Sequence, residues 1–222
     1  NKDEISPLGK GVDGAQVADS AIIAYRLARL INCPVVATGE EDYVSDGTRV
    51  FAVPHGHPIM TAVTGTGCLL GAVLAAFFSA YYPYKDSMSI GEFLAYALAY
   101  YGLAGESAVK VSGIKPGSFS VAFIDALYTL DDEVLVSENR VQSVVVPDQL
   151  QVYFVCGTQD TELNKKRLLE IVEDACRGGI TCFQFREKGD GTLEGQQKLE
   201  LAQQLQHICA KYHVLYIIND DV

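Results

Sequence analysis

From residue 151 onward the chain alternates between two kinds of segment. The apolar runs "VYFVC", "ITCFQF" and "VLYII" are separated by "TELNKKRLLEIVEDACRGG" and "EGQQKLELAQQLQHICAKYH". The first of these separators carries apolar residues at Leu168, Val172, Ala175 and Cys176, a helical spacing, and closes on Gly178-Gly179. Strands and helices that alternate at roughly thirty-residue spacing form βαβ units. Each helix returns the chain to the starting end of the sheet, so the strands must run parallel. Three strands and two helices do not close a fold.

The first half is organised differently. Helical spacing runs through 17–33, a short β-branched run occupies 34–40, and 42–53 reads as a hairpin turning at Asp46-Gly47. A glycine turn at 65–67 leads into an apolar helix from Cys68, expected to be buried. A second buried helix is expected over 89–111, a break at "KPGSF" (115–119), and a shorter helix over 120–130. Residues 136–150, of mixed polarity and containing Pro147, read as the linker between domains at 1–135 and 151–222. The chain opens on Asn1 rather than Met and stops at "IINDDV", which reads as a fragment cut at both ends.

Composition narrows the partners. A net charge of -11 without a Lys/Arg run argues against nucleic acid or an anionic membrane surface. The apolar stretch 63–82 opens with Thr and Gly and is rich in Ala, which suits a buried helix better than a membrane span. The six cysteines show no CxxC pair and no zinc spacing, as expected of reduced thiols in a cytoplasmic protein.

Two stretches carry chemistry. In "VTGTGCLL" (63–70), Gly65, Thr66 and Gly67 sit where a helix starts. Free amides and the helix dipole favour an anion there, and a transferring phosphoryl group fits. A tight turn entering a core helix is the plain alternative, and Cys68 is either a reactive thiol or a buried one. In "ITCFQFREK" (180–188), alternation puts Phe183 and Phe185 on one face and Gln184, Arg186 and Lys188 on the other. A parallel strand covered on both sides should be apolar on both, so three polar groups on one face point to a site, or to a strand fraying into solvent. Arg186 and Lys188 suit a diphosphate and Gln184 a heterocycle. Asn219 and Asp220 follow the next strand, as a turn or as a Mg²⁺ ligand with its neighbour. His55 and His57 lie in a strand-exit loop and read as solvated.

"VTGTGCLL" resembles the signature of hydroxyethylthiazole kinases, members of the ribokinase-like superfamily. "NKDEI", "GVDG", "ATGEEDYVSDG", "GHPIMTAVTGTGC" and "KPGSFSVAFIDALY" extend the resemblance over nearly all of residues 1–130. The resemblance implies a ribokinase-like α/β fold, represented by its C-terminal part. It also implies ATP and Mg²⁺ as cofactors, and trimers with sites between subunits. It places Cys68 where many superfamily members carry an Asp base, and Gly65, Thr66 and Gly67 at the phosphoryl group. Gly65 also lies at the thiazole, Thr38 at ATP, and Asn1 and Glu4 near Mg²⁺ and the phosphates. The segment between Asn1 and the helix at 17 is shorter than the family pattern, and its N-terminal half is absent.

"VYFVC", "ACRGGITCFQFREK" and "YIINDDV" resemble the early segments of thiamine-phosphate synthases, which are (β/α)8 barrels. That implies a partial TIM barrel over 151–222, with Gln184, Arg186, Lys188 and Asn219 on an aminopyrimidine diphosphate and Asp220 on Mg²⁺. "CGTQD" (156–160) departs from the family's first turn, and no role is assigned there. Together the resemblances imply an enzyme of thiamine biosynthesis that phosphorylates 4-methyl-5-(2-hydroxyethyl)thiazole and then condenses the product with the pyrimidine diphosphate. Two alternatives stand beside it: a hydroxymethylpyrimidine phosphate kinase, which shares the GTGC turn, or a non-catalytic fragment. The "VT" before the turn and the "KPGSF" after it are thiazole-kinase features.

Overall fold

The hairpin turn is set by one side chain. Asp46 Oδ1 accepts the amides of Thr48 (2.9 Å) and Arg49 (2.8 Å), and Gly47 takes the left-handed φ of 85° that the turn needs. The computed structural model describes residues 17–219, with side chains from Ser20 onward. The chain is a mixed α/β protein that divides into two units, 1–144 and 145–222.

In the first unit, helix α1 (Val17–Ile31) precedes strands β1 (Val35–Ala37), β2 (Asp42–Ser45) and β3 (Val50–Val53). Helices α2 (Thr66–Ser79), α3 (Ile90–Ser112), α4 (Pro116–Thr129) and α5 (Asp132–Ser137) follow, and β4 (Gln142–Val144) returns to pair with β3. The sheet is antiparallel throughout, in the order β1-β2-β3-β4. Alternation splits its side chains. Val44, Phe51 and Val53 join a core with Leu94, Leu98 and Tyr101 of α3 and Phe119 and Phe123 of α4. Ala21, Ala24, Tyr25 and Ala28 of α1 are buried as well.

Three expectations change here. The stretch 136–150 is not a bare linker, because β4 lies within it and forms one of the sheet's two edge strands. The expected break between the two helices is present at 113–115, but the second helix starts before 120: Pro116 opens α4, since the first helical turn needs no proline N–H. Helix α2 is not buried. Leu70 alone is buried, while Gly71, Ala72, Ala75, Ala76 and Phe78 are exposed, because α3 covers one side of it.

In the second unit, β5 (Tyr153–Cys156), α6 (Lys165–Arg177), β6 (Cys182–Phe185), α7 (Gly195–Lys211) and β7 (Leu215–Ile218) alternate as the sequence pattern predicts. The strands are parallel, in the order β5-β6-β7. Leu168, Val172 and Cys176 of α6 and Leu201, Ala202, Leu205 and Cys209 of α7 close over Phe183 and Phe185. Helix α6 starts at Lys165, later than the Thr161 at which the segment read as helical opens. Glu162 and Leu163 hold φ of 56° and 60°, which no α-helix admits, and the Asn164 side chain then caps the Arg167 amide at 3.0 Å. No helix among the described residues is long and apolar enough to cross a membrane.

Candidate active sites

In the first unit the site is built on α3. Its glycines let the loop after β3 come close. A Cβ on Gly102 would lie 2.5 Å from the Cβ of His55, and one on Gly105 would lie 2.6 Å from the Sδ of Met60. The loop then runs into the Gly65–Cys68 turn. The Thr66 hydroxyl donates to the carbonyls of Met60 (2.9 Å) and Val63 (3.1 Å), and the Tyr101 hydroxyl donates to the Thr66 carbonyl at 2.5 Å. Gly65 holds φ of 98° as the residue preceding α2, and nothing lies within 4 Å of where its Cβ would be. The turn therefore offers free amides to solvent, with Gly65, Gly67 and Cys68 all exposed. Thr66 is half-buried because its side chain serves the turn itself. Thr38 is exposed just beyond β1, and no hydrogen bond joins it to the turn. Asn1 and Glu4 lie outside the described residues.

His55 and His57 are not solvated side chains. The His55 side chain is fully buried. Its Nε2 accepts the Arg140 amide at 3.1 Å, and its Nδ1 lies 3.4 Å from Glu106 Oε1. Burial, then the Arg140 charge, pulls its pKa below the ordinary value, against Glu106. Glu106 also accepts the Gly56 amide at 3.0 Å and pairs with the Arg140 guanidinium, which donates to the Pro54 carbonyl. His57 Nδ1 accepts the Ile59 amide at 3.2 Å and caps the short 3₁₀ turn at Pro58–Ala62. Both histidines brace the loop that delivers the glycine turn. Sequence reading missed the burial of His55 because its partners, Glu106 and Arg140, lie 50 or more residues away.

In the second unit register places the site. Cys156, Phe185 and Ile218 lie side by side across the sheet, so the next residues, Gly157, Arg186 and Asn219, line up at the strands' C-terminal ends. The ladder continues one step beyond, with Arg186 N donating to Cys156 O (3.2 Å) and Asn219 N to Phe185 O (2.9 Å). The Gln184 amide donates to Asn219 Oδ1 at 3.1 Å, so two of the expected pyrimidine residues touch. Arg186 and Lys188 are exposed beyond the end of β6, on the Gln184 side of the alternation. Asp220 lies outside the described residues.

The residues left without a role form a latch. Gln159 Nε2 donates to the Arg186 carbonyl at 2.8 Å, and Gly157 N donates to Asp160 Oδ2 at 2.9 Å. A Cβ on Gly157 would sit 2.0 Å from that same carbonyl, so only glycine fits there. Glu187, between the two cations, turns inward and is 7 % exposed. Its inward phase follows from Phe183 and Phe185, a signal the sequence did hold.

Of the six free cysteines, Cys33 and Cys68 are exposed and four are buried. Burial pushes the Cys182 thiol up to about 11, as suits an inert packing residue. No group of three or more His, Cys, Asp or Glu among the described residues is placed to hold a metal ion.

These two sites lie in segments with separate kin. The hydroxyethylthiazole kinase family model matches residues 3–133, and the thiamine monophosphate synthase model matches 152–222, so the kinase-like segment is the N-terminal one. Hydroxyethylthiazole kinase of Salmonella schwarzengrund is 45 % identical over 132 residues, covering 59 % of this chain and 47 % of that protein. Thiamine-phosphate synthase 1 of Streptococcus pneumoniae is 56 % identical over 73 residues, covering 33 % of this chain and 34 % of that protein. The solved hydroxyethylthiazole kinase of Pyrococcus horikoshii OT3 is 34 % identical with a TM-score of 0.50, over 57 % of this chain and 47 % of that one. The chain thus spans about half the length of the kinases it matches and about a third of the synthase. With more than half of its residues matched by that model, the chain belongs to the hydroxyethylthiazole kinase family.

Proposed function

We propose that this chain is part of a bifunctional enzyme of thiamine biosynthesis, whose first domain phosphorylates 4-methyl-5-(2-hydroxyethyl)thiazole with ATP. Its second domain condenses the thiazole phosphate with the aminopyrimidine diphosphate, giving thiamine phosphate and pyrophosphate. The observation that carries this is the presence of both family matches in one chain, each over its own exposed cluster. The product of the first reaction is the substrate of the second, which gives the fusion its reason. In this reading the kinase segment is the C-terminal part of its family. The synthase segment is the N-terminal part of a (β/α)8 barrel, with its site at the C-terminal strand ends where barrel enzymes place theirs.

In the kinase, the amides of the Gly65–Gly67 turn receive the phosphoryl group and the α2 dipole offsets its charge. Gly65 also lines the thiazole, Thr38, Asn1 and Glu4 serve ATP and its ion, and Cys68 accepts the proton of the thiazole hydroxyl. Phosphoryl transfer asks for position and charge stabilisation more than for a strong base, so the Cys68 thiolate, which becomes the thiol on taking the proton, suffices. In the synthase, Arg186 and Lys188 hold the diphosphate as it leaves, and Gln184 with Asn219 fixes the aminopyrimidine ring. Mg²⁺ would neutralise phosphate oxygens in each domain, held near Glu4 in the kinase and by Asp220 in the synthase. Both reactions belong in the cytoplasm, and the kinase assembles as a trimer.

The test offers the thiazole alcohol and hydroxymethylpyrimidine separately to the whole protein with ATP. Phosphorylation of the thiazole supports the reading. Phosphorylation of the pyrimidine alone overturns it in favour of a hydroxymethylpyrimidine phosphate kinase.

A further inference from the structure

Glu187 is a carboxylate that the sheet buries at the mouth of the second site. Its exposure is 7 %, although Arg186 and Lys188 on either side are exposed. A buried carboxylate is tolerated only where donors replace its water. Here there are three. Oε2 accepts the Thr158 amide at 3.0 Å, and Oε1 accepts the Thr158 hydroxyl and the Leu193 amide, the latter at 3.1 Å. Thr158 belongs to the loop after β5, and Leu193 to the segment leading into α7. One side chain therefore ties the loop after β5 to both ends of the connection between β6 and α7.

The same segment is fixed from its backbone. Gln159 Nε2 donates to the Arg186 carbonyl at 2.8 Å, and Gly157 leaves no room for a Cβ against that oxygen. In an extended segment neighbouring side chains point to opposite faces. Holding Glu187 inward therefore holds Arg186 and Lys188 outward, both on the side of Gln184. A cation pair on a free strand end would lose that common direction and would have to recover it on binding, at an entropic cost.

We infer that Glu187, with Thr158 as its main partner, is a positioning residue that presents Arg186 and Lys188 as a preformed diphosphate clamp. This rests on the synthase reading of Arg186 and Lys188 proposed above. Glu187 itself is turned away from the ligand and acts through its neighbours.

The experiment measures binding of inorganic pyrophosphate, by calorimetry with Mg²⁺, to the whole protein and to four variants. Arg186→Ala tests the underlying reading. Glu187→Gln puts an amide N–H against the Thr158 amide or, if flipped, against the Leu193 amide, and so breaks the latch with little change of shape. Thr158→Val removes the hydroxyl, and Thr158→Ser keeps it. The expected result is weaker binding by about tenfold or more for Arg186→Ala, Glu187→Gln and Thr158→Val, with Thr158→Ser within about twofold of wild type. Thermal unfolding is recorded in parallel, and should Glu187→Gln fail to fold, the Val and Ser pair decides alone. If Arg186→Ala weakens binding while the folded latch variants bind like wild type, the inference is overturned and the synthase reading stands. If Arg186→Ala binds like wild type, the reading of Arg186 fails and the inference falls with it.

Discussion

The hydroxyl of Tyr101 donates to the carbonyl oxygen of Thr66 at 2.5 Å, tying the middle of α3 to the first residue of α2. Tyr101 is 3 % exposed, and burial pushes its phenol up to about 12, so it stays a donor through the physiological range. Its ring meets Phe123 edge-on at 5.0 Å and keeps that contact if the hydroxyl is removed. Tyr101→Phe should therefore cost on the order of 1 kcal/mol, the net worth of one hydrogen bond. Kinase turnover should fall severalfold, because the turn is no longer pinned to its platform. Denaturant unfolding and thiazole phosphorylation are the two measurements, and unchanged turnover would detach Tyr101 from the site.

Cys68 stands exposed in the first turn of α2. If it accepts the substrate proton, Cys68→Ala should lower turnover while leaving ATP affinity close to wild type. Cys68→Asp should keep activity, since a carboxylate does the same task. The residual activity of the alanine variant reports how much the turn and the helix dipole supply alone. Wild-type turnover in Cys68→Ala would make the thiol structural.

How much of this was readable beforehand depended on how local the cause is. The parallel βαβαβ order of the second unit, the hairpin at Asp46-Gly47 and the glycine turn before α2 all follow from short-range pattern, and each is present. The inward phase of Phe183 and Phe185 was legible for the same reason. Strand β4 was not, because Gln142 and Ser143 are polar, exposed edge residues without alternation. Nor was His55, whose burial depends on Glu106 and Arg140 folding over it. The exposure of α2 could not be foreseen from an all-apolar helix, since periodicity does not say which faces are covered.

The His55 cluster sets a pH dependence. In the fold Nε2 accepts the Arg140 amide, so the ring is neutral, with burial and the Arg140 charge holding its pKa below the ordinary 6.5. The unfolded chain takes up that proton near 6.5, and the folded one only lower. Stability is then full above pH 6.5 and falls as pH drops from there to the lowered folded value. Glu106 adds a second loss further down. Burial opposes its charge, but the Gly56 amide and Arg140 outweigh burial and hold it below 4.5. Its contribution is present above 4.5 and is lost as pH falls through the lowered value. His55→Gln can keep an acceptor for the Arg140 amide but does not titrate. Melting temperature against pH should therefore flatten just below about 6.5 in that variant while the loss that belongs to Glu106 remains. An unchanged profile would place the titration elsewhere.

In the proposed synthase site, Gln184 and Asn219 are assigned to the ring, and Arg186 and Lys188 to the diphosphate. The Gln184 amide donates to Asn219 Oδ1 at 3.1 Å, and Asn219 Nδ2 is buried with no partner among the described residues. A buried donor without an acceptor costs about 1–3 kcal/mol, which an acceptor atom of a bound heterocycle would recover. Gln184→Ala frees Asn219 to turn and removes that presentation. KM for the aminopyrimidine diphosphate should rise by about tenfold, equal to about 1.4 kcal/mol, while inhibition by pyrophosphate stays at the wild-type level. Arg186→Ala should weaken pyrophosphate inhibition as well. Steady-state kinetics with pyrophosphate as inhibitor separate the two. If Gln184→Ala weakens pyrophosphate as strongly as Arg186→Ala does, the amide pair serves the diphosphate and the ring lies elsewhere.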